Sequence, residues 1–140
     1  MARLKTQLDL NDLTTLVVED VDIHRDHLEK ALKIVGFANI DHASSMNDAL
    51  KKMELNAYNI IFVDWNMPGK SGYHFLQTCR SDETFNRVAF VMVSSETEER
   101  SIAEAMRAGA NAYVIKPVQL SALKEQMNHV LAWIERGRPS

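Results

Sequence analysis

From Thr14 onward the hydrophobic pattern alternates between two periods. Short β-rich runs occur at Thr15-Leu-Val-Val18, Asn39-Ile-Asp-His42, Asn59-Ile-Ile-Phe-Val63, Val88-Ala-Phe-Val-Met-Val93 and Ala112-Tyr-Val-Ile115. Their lengths suit strands, and three are nearly all apolar, as expected of parallel strands covered on both faces. Between them the apolar residues recur at helical spacing. Leu28, Ala31, Leu32 and Val35 mark a first helix that Gly36 closes. Ser45 precedes a second, carrying Met46, Ala49, Leu50 and Met53, and a third runs from about Gly72 to Arg80. The fourth is predicted to open on the acids of Glu96-Thr-Glu-Glu99, which suit the positive end of a helix dipole, and to end at Gly109. The last has the longest stripe: Leu120, Leu123, Met127, Val130, Leu131 and Ile134.

Strands alternating with helices predict an α/β domain, a five-stranded parallel sheet doubly wound with five helices on both faces. Such sheets bind ligands at the carboxyl ends of their strands, where strand order reverses. Residues 14–136 form the predicted domain, with 1–13 as an N-terminal arm and 137–140 as a polar tail. Leu4, Leu8 and Leu10 or Leu13 could make a short amphipathic turn within that arm, although a loose arm is preferred. The tail reads either as a natural end or as the start of a linker.

Composition narrows the function classes. With 16 Lys and Arg against 19 Asp and Glu, the formal charge is −3, which argues against direct binding to nucleic acid. No apolar run approaches the roughly 18 residues of a membrane span, and the N-terminus lacks the apolar core of a secretory signal. A single cysteine, Cys79, excludes an internal disulfide framework. A cytoplasmic protein is the expectation.

The predicted strand ends carry the chemistry. Glu19 and Asp20 follow the first strand, Asp64 the third, Ser94 and Ser95 the fourth, and Lys116-Pro117 the fifth. Three carboxylates brought together repel one another unless a cation joins them, and an all-oxygen ligand set favours Mg²⁺ or Mn²⁺ over zinc. Mg²⁺ commonly completes its shell with phosphate oxygens. An aspartate can also act as a nucleophile toward phosphorus and form an acyl phosphate. In that reading Asp64 attacks, while Lys116 and the Ser94 hydroxyl meet the charge on the phosphoryl oxygens. Singly, each residue reads as a helix cap or a surface charge. Together, four strand ends bearing complementary groups read as a site.

The motifs Val17-Val-Glu-Asp20, Val63-Asp-Trp-Asn-Met-Pro-Gly69, Val91-Met-Val-Ser-Ser-Glu96, Gly109-Ala-Asn-Ala-Tyr113 and Val114-Ile-Lys-Pro117 resemble the receiver domain of two-component response regulators. The resemblance covers about Leu16 to Ile134, and the Asp64-Trp-Asn-Met-Pro68 string is similar to the CheY-like receivers of chemotaxis. It implies a flavodoxin- and CheY-like (βα)5 fold and Asp64 as phosphoacceptor. It further implies Mg²⁺ held by Glu19, Asp20, Asp64 and the Asn66 backbone carbonyl. Ser94 and Tyr113 would be the switch pair, Lys116 the ionic partner of the phosphoryl group, and Lys116-Pro117 a cis bond aiming the lysine inward. Asn66 and Glu96 would tune dephosphorylation. The implied partners are a sensor histidine kinase or phosphotransfer protein and a downstream protein target, with the chain a monomer or weak dimer. It would catalyse its own phosphorylation and dephosphorylation without turning over an external substrate.

Some positions depart from the family pattern. Glu19 stands where Asp is commoner, which leaves direct and water-mediated metal contact both open. Ser94 replaces the commoner Thr and keeps the hydroxyl. Val118-Gln-Leu120 offers no capping side chain to the last helix.

Rival readings are the receiver part of a longer transcriptional regulator, an interaction module that no longer phosphorylates, and an aspartate-nucleophile phosphatase. The last would have a second aspartate where this chain has Asn66. His24, His27, His42, His74 and His129 share no motif, and only His24 borders the predicted site, where it could affect donor access. Trp65 is expected near the metal. Trp133 reads as a packing or partner-face residue, and Cys79 as a structural thiol.

Overall fold

The computed structural model describes residues 8–67 and 71–137. Leu4, Pro68, Gly69 and residues 138–140, which enter the sequence reading, lie outside the described residues. The β-rich runs form β1 (Thr14–Val18), β2 (Asn39–Ala43), β3 (Ile60–Asp64), β4 (Ala89–Ser94) and β5 (Ala112–Ile115). The helices are α1 (Asp22–Val35), α2 (Met46–Leu55), α3 (Gly72–Arg80), α4 (Glu99–Arg107) and α5 (Leu120–Arg136), with short 3₁₀ turns at Leu10–Asp12 and Glu83–Phe85. All neighbouring strands pair in parallel, in the order β2-β1-β3-β4-β5. The predicted doubly wound sheet is therefore the observed one.

Alternating side chains along each strand divide the core into two layers. Val17, Phe62, Val91, Val93 and Val114 meet Leu28 and Leu32 of α1 and Leu123, Met127, Val130 and Ile134 of α5. Leu16, Val18, Ile61, Val63, Phe90 and Met92 meet the helices of the opposite face, through Met46, Ala49 and Met53 of α2, Phe75 and Leu76 of α3 and Ala105 of α4. Every residue of β3 and β4 is buried, which explains why those runs lack a polar face. α4 is the lightly held helix, with Ala105 its one fully buried residue.

Helix ends follow local chemistry. The Ser45 hydroxyl accepts the Asp48 amide at the start of α2, and Gly36 closes α1 at φ +126°, a conformation favourable to glycine. No side chain caps α5, as its sequence foretold.

Two boundaries differ from expectation. α4 begins at Glu99 rather than Glu96, because the Glu96 peptide is held by other partners: its N–H donates to Ser94 Oγ at 3.0 Å and its carbonyl accepts the Tyr113 hydroxyl at 3.1 Å. The described part of the expected arm is also packed. Leu13 is buried in the core, Leu8 and Leu10 pack against it, and the Leu8 amide donates to Glu135 Oε2 of α5 at 3.2 Å. Apolar spacing at 8, 10 and 13 drives this docking onto the α1–α5 layer.

Arg80, at the end of α3, ties several elements together. Its Nε donates to the Gly109 carbonyl (3.0 Å), Nη1 to the Phe85 carbonyl (3.0 Å) and Nη2 to Asn111 Oδ1 (2.9 Å). The guanidinium carbon lies 4.8 Å from the Phe90 ring centroid and 5.6 Å from that of Trp133. Asn111 Oδ1 also accepts the Phe90 amide at 2.8 Å.

Candidate functional site

Strand order reverses between β1 and β3, so a crevice opens beyond their carboxyl ends. Glu19 follows β1, Asp64 ends β3, Ser94 ends β4 and Lys116 follows β5. Register brings them level: Val18 pairs Val63, Asp64 pairs Val93, and Ser94 pairs Ile115. Glu19, Asp64 and Lys116 line a cleft of about 650 Å³ whose walls also include Val21, His24, Asn66, Ser95 and Pro117, whereas Ser94 is fully buried.

Lys116 Nζ lies 3.0 Å from Glu19 Oε1 and 3.4 Å from Asp64 Oδ2. Glu19 is 2% exposed and Asp64 7%, so the ammonium joins two carboxylates in a poorly solvated setting where removing one partner is costly. The second Glu19 oxygen accepts the Val21 amide at 3.2 Å, and the Glu19 carbonyl accepts Arg25 Nη1 at 3.0 Å. These bonds fasten the first turn of α1 to the acidic pair. The Lys116–Pro117 peptide bond is cis.

Glu19, Asp20 and Asp64 each offer a carboxylate oxygen, and these atoms lie within 4.8 Å of one another. Among the described residues, the one ammonium paired with this group is Lys116, which meets Glu19 and Asp64 but not Asp20, so three carboxylates stand against one close cation. A hard divalent cation such as Mg²⁺ or Mn²⁺ fits this donor set, which contains oxygen and no sulfur.

Around Asp64, the Asn66 amide donates to Oδ1 at 3.1 Å, and Asn66 Nδ2 reaches the fully buried Ser94 hydroxyl at 3.4 Å. Ser94 Oγ in turn accepts the Glu96 amide, and the Glu96 carbonyl accepts Tyr113. Asp64, Ser94 and Tyr113 are thereby joined in one chain of hydrogen bonds, which Glu96 enters through its backbone. Trp65 is buried beside Asp64, edge-on to Tyr73 with ring centroids 6.1 Å apart. Gly72 makes that approach possible: a Cβ there would lie 2.8 Å from the Trp65 Cα, and its amide donates to the Trp65 carbonyl at 2.8 Å.

The sequence reading located the acids, hydroxyl and lysine. It did not foresee the backbone bonds from Val21 to Glu19 or from Glu96 to Ser94, which depend on loop conformation. Cys79 is buried, and burial pushes its thiol up to about 12, in keeping with a structural role.

A flavodoxin-like parallel sheet with acids and a lysine at its carboxyl edge is the arrangement of a signalling receiver domain. The chain belongs to the response regulator receiver domain family, whose model matches residues 15–128. It is 30% identical over 119 residues to the chemotaxis protein CheY-3 of Vibrio cholerae serotype O1, covering 85% of this chain and 92% of that protein. Against the chemotaxis protein CheY of Pseudomonas aeruginosa the identity is 33% over 115 residues, covering 82% and 93%. Among solved structures, a response regulator receiver protein from Pseudomonas putida superimposes with a TM-score of 0.72 at 26% identity, covering 83% and 95%. V. cholerae CheY4 matches in fold, with a TM-score of 0.76 at 24% identity, covering 85% and 98%.

Proposed function

We propose that this receiver accepts a phosphoryl group onto Asp64 from a histidine kinase or phosphotransfer protein, and that the modified form binds a downstream protein through its α4–β5–α5 face. The observation that carries the reading is Lys116 Nζ set between Glu19 Oε1 and Asp64 Oδ2 at the point where strand order reverses. An Asp64 carboxylate oxygen attacks the phosphorus of phosphohistidine. The P–N bond breaks, the imidazole leaves, and an acyl phosphate remains on Asp64. Lys116 meets the charge on the phosphoryl oxygens, and the Asn66 amide already donates to Asp64. Glu19, Asp20, Asp64 and the Asn66 carbonyl would hold Mg²⁺, which when bound supplies charge neutralisation and orients the phosphoryl oxygens.

A phosphoryl group on Asp64 competes for the Ser94 hydroxyl, which now accepts the Glu96 amide. Drawing Ser94 inward disturbs the Glu96 peptide and the Tyr113 hydroxyl bonded to it, and so alters the lightly held α4. Asn66 and Glu96 flank the approach of hydrolytic water and set the lifetime of the signal. The output is a partner protein in a chemotaxis-type pathway, a reading supported by the chemotaxis relatives that the chain matches over 92% and 93% of their lengths. The protein works in the cytoplasm as a monomer or weak dimer, without direct nucleic-acid contact and without turnover of an external substrate.

Incubation with acetyl phosphate and Mg²⁺ should place one acid- and alkali-labile phosphoryl group on the wild type and none on Asp64→Asn. Stoichiometric label on the variant overturns the reading. Sustained hydrolysis of phosphate esters would favour a phosphatase instead.

A further inference from the structure

Lys116 has a third polar neighbour that the proposed phosphoryl transfer does not use. Its Nζ lies 3.4 Å from Nδ1 of His24, on the first turn of α1. An ammonium has three donors and no acceptor, so a favourable contact requires Nδ1 to carry its lone pair and the proton to sit on Nε2. Nζ thus donates to Glu19 Oε1, pairs ionically with Asp64 Oδ2 at 3.4 Å, and has a donor left for His24 Nδ1.

The backbone that carries the exposed His24 side chain is anchored through its neighbour Arg25. The Arg25 amide donates to the Val21 carbonyl at 2.9 Å, Arg25 Nη1 to the Glu19 carbonyl at 3.0 Å and Nη2 to Asp22, all within the same turn. The helix start and the acidic pair therefore move as one piece, and His24 moves with them. Lysine, by contrast, sits on a four-carbon stem with many rotamers, and an extra acceptor narrows them.

We infer that His24 is a positioning residue for Lys116: its imidazole accepts a hydrogen bond from the ammonium beside the one to Glu19 and holds the lysine at the Asp64 edge of the cleft. This role rests on the phosphotransfer reading for its functional effect, but the contact itself does not. The histidine touches neither the phosphoryl group nor the metal in this role. It acts through the lysine alone.

The test compares His24→Leu, which keeps bulk but has no acceptor, with His24→Asn, whose side-chain oxygen can occupy the place of Nδ1. Both are assayed in the full chain with acetyl phosphate and Mg²⁺ at pH 8, after thermal melting has verified folding. Loss of one charge-assisted hydrogen bond at an exposed site should slow Asp64 labelling about threefold in His24→Leu. His24→Asn should return to within about twofold of wild type, as expected when the acceptor is restored. Equal rates for wild type and His24→Leu, or equally slow rates for both variants, would falsify the role. A second readout needs no phosphorylation. Imidazole ¹⁵N shifts at pH 8 should show His24 protonated on Nε2, with that preference weakened in Lys116→Met. A His24 protonated on Nδ1 overturns the contact, whereas a wild type that takes no label while keeping the Nε2–H form overturns the phosphotransfer reading instead.

Discussion

Replacing Arg80 by methionine removes the guanidinium while leaving most of the aliphatic stem. Three hydrogen bonds disappear, to the Gly109 and Phe85 carbonyls and to Asn111 Oδ1, together with the cation's contacts to Phe90 and Trp133. Charged donors contribute about 1.5–3 kcal/mol each, and cation–π contacts about 0.5–1 kcal/mol where water is near. The full sum is not lost. The two carbonyls sit in half-buried turns where water can replace the donor, Asn111 Oδ1 keeps the Phe90 amide, and methionine avoids the cost of desolvating a cation that has no close carboxylate among the described residues. Allowing for these offsets leaves about 3 kcal/mol, a large part of the roughly 5–15 kcal/mol that holds a domain together. With a urea slope near 2 kcal/mol/M, the midpoint should fall by about 1.5 M at unchanged slope. Arg80→Lys should recover less than half of that, since lysine restores the charge but not the planar fork that meets three acceptors at once. A midpoint for Arg80→Met within about 0.3 M of wild type would show that water replaces the guanidinium fully, and the argument from its hydrogen bonds would be wrong.

Other perturbations follow from the same geometry. Gly72→Ala drives a Cβ to 2.8 Å from the Trp65 backbone, so it should cost about 2 kcal/mol or more in chemical denaturation and shift the Trp65 emission. Cys79, with its thiol pushed up to about 12 by burial, should resist iodoacetamide at pH 8 in the native protein and react once urea unfolds it; rapid native labelling counts against this burial. Burial works to raise the Asp41 carboxyl, but bonds from the Tyr58 hydroxyl (2.6 Å) and the His42 amide, with Lys52 nearby, outweigh it and hold it low. A depressed carboxyl contributes stability above its unfolded value of about 4 and loses it as pH falls through the folded value. Tyr58, raised by burial and by Asp41, contributes fully below about 10 and loses its share as pH rises further. Tyr58→Phe should therefore flatten the pH dependence of the melting temperature at both ends, and an unchanged profile would show the pair to be inert.

The layout was legible in the sequence because strand and helix periods are local, and strand ends follow from them. Asp64, Ser94 and Lys116 could be aligned by counting from each apolar run. What escaped depends on contacts distant in sequence. Glu96 reads as the first residue of a helix by its charge, yet bonds to Ser94 and Tyr113 pull its peptide out of α4. Arg80 enters the sequence reading only as the end of a helix, and nothing nearby in the chain announces that Gly109, Asn111 and Trp133 meet it. Leu13 falls between these cases, since its spacing from Leu8 and Leu10 hinted at packing without saying against what.

The Leu8 amide on Glu135 places the two ends of the described chain side by side. Leu8 precedes β1, and α5 returns from the carboxyl edge of the sheet, so this junction lies at the amino edge, across the domain from Asp64. Proximity of this kind makes the order of the elements in the chain separable from their arrangement in space. A circular permutant joining residues 8 and 137 through a short glycine-serine bridge, and opened in an exposed loop at the amino edge, would present the same acids, hydroxyl and lysine from a differently wired polypeptide.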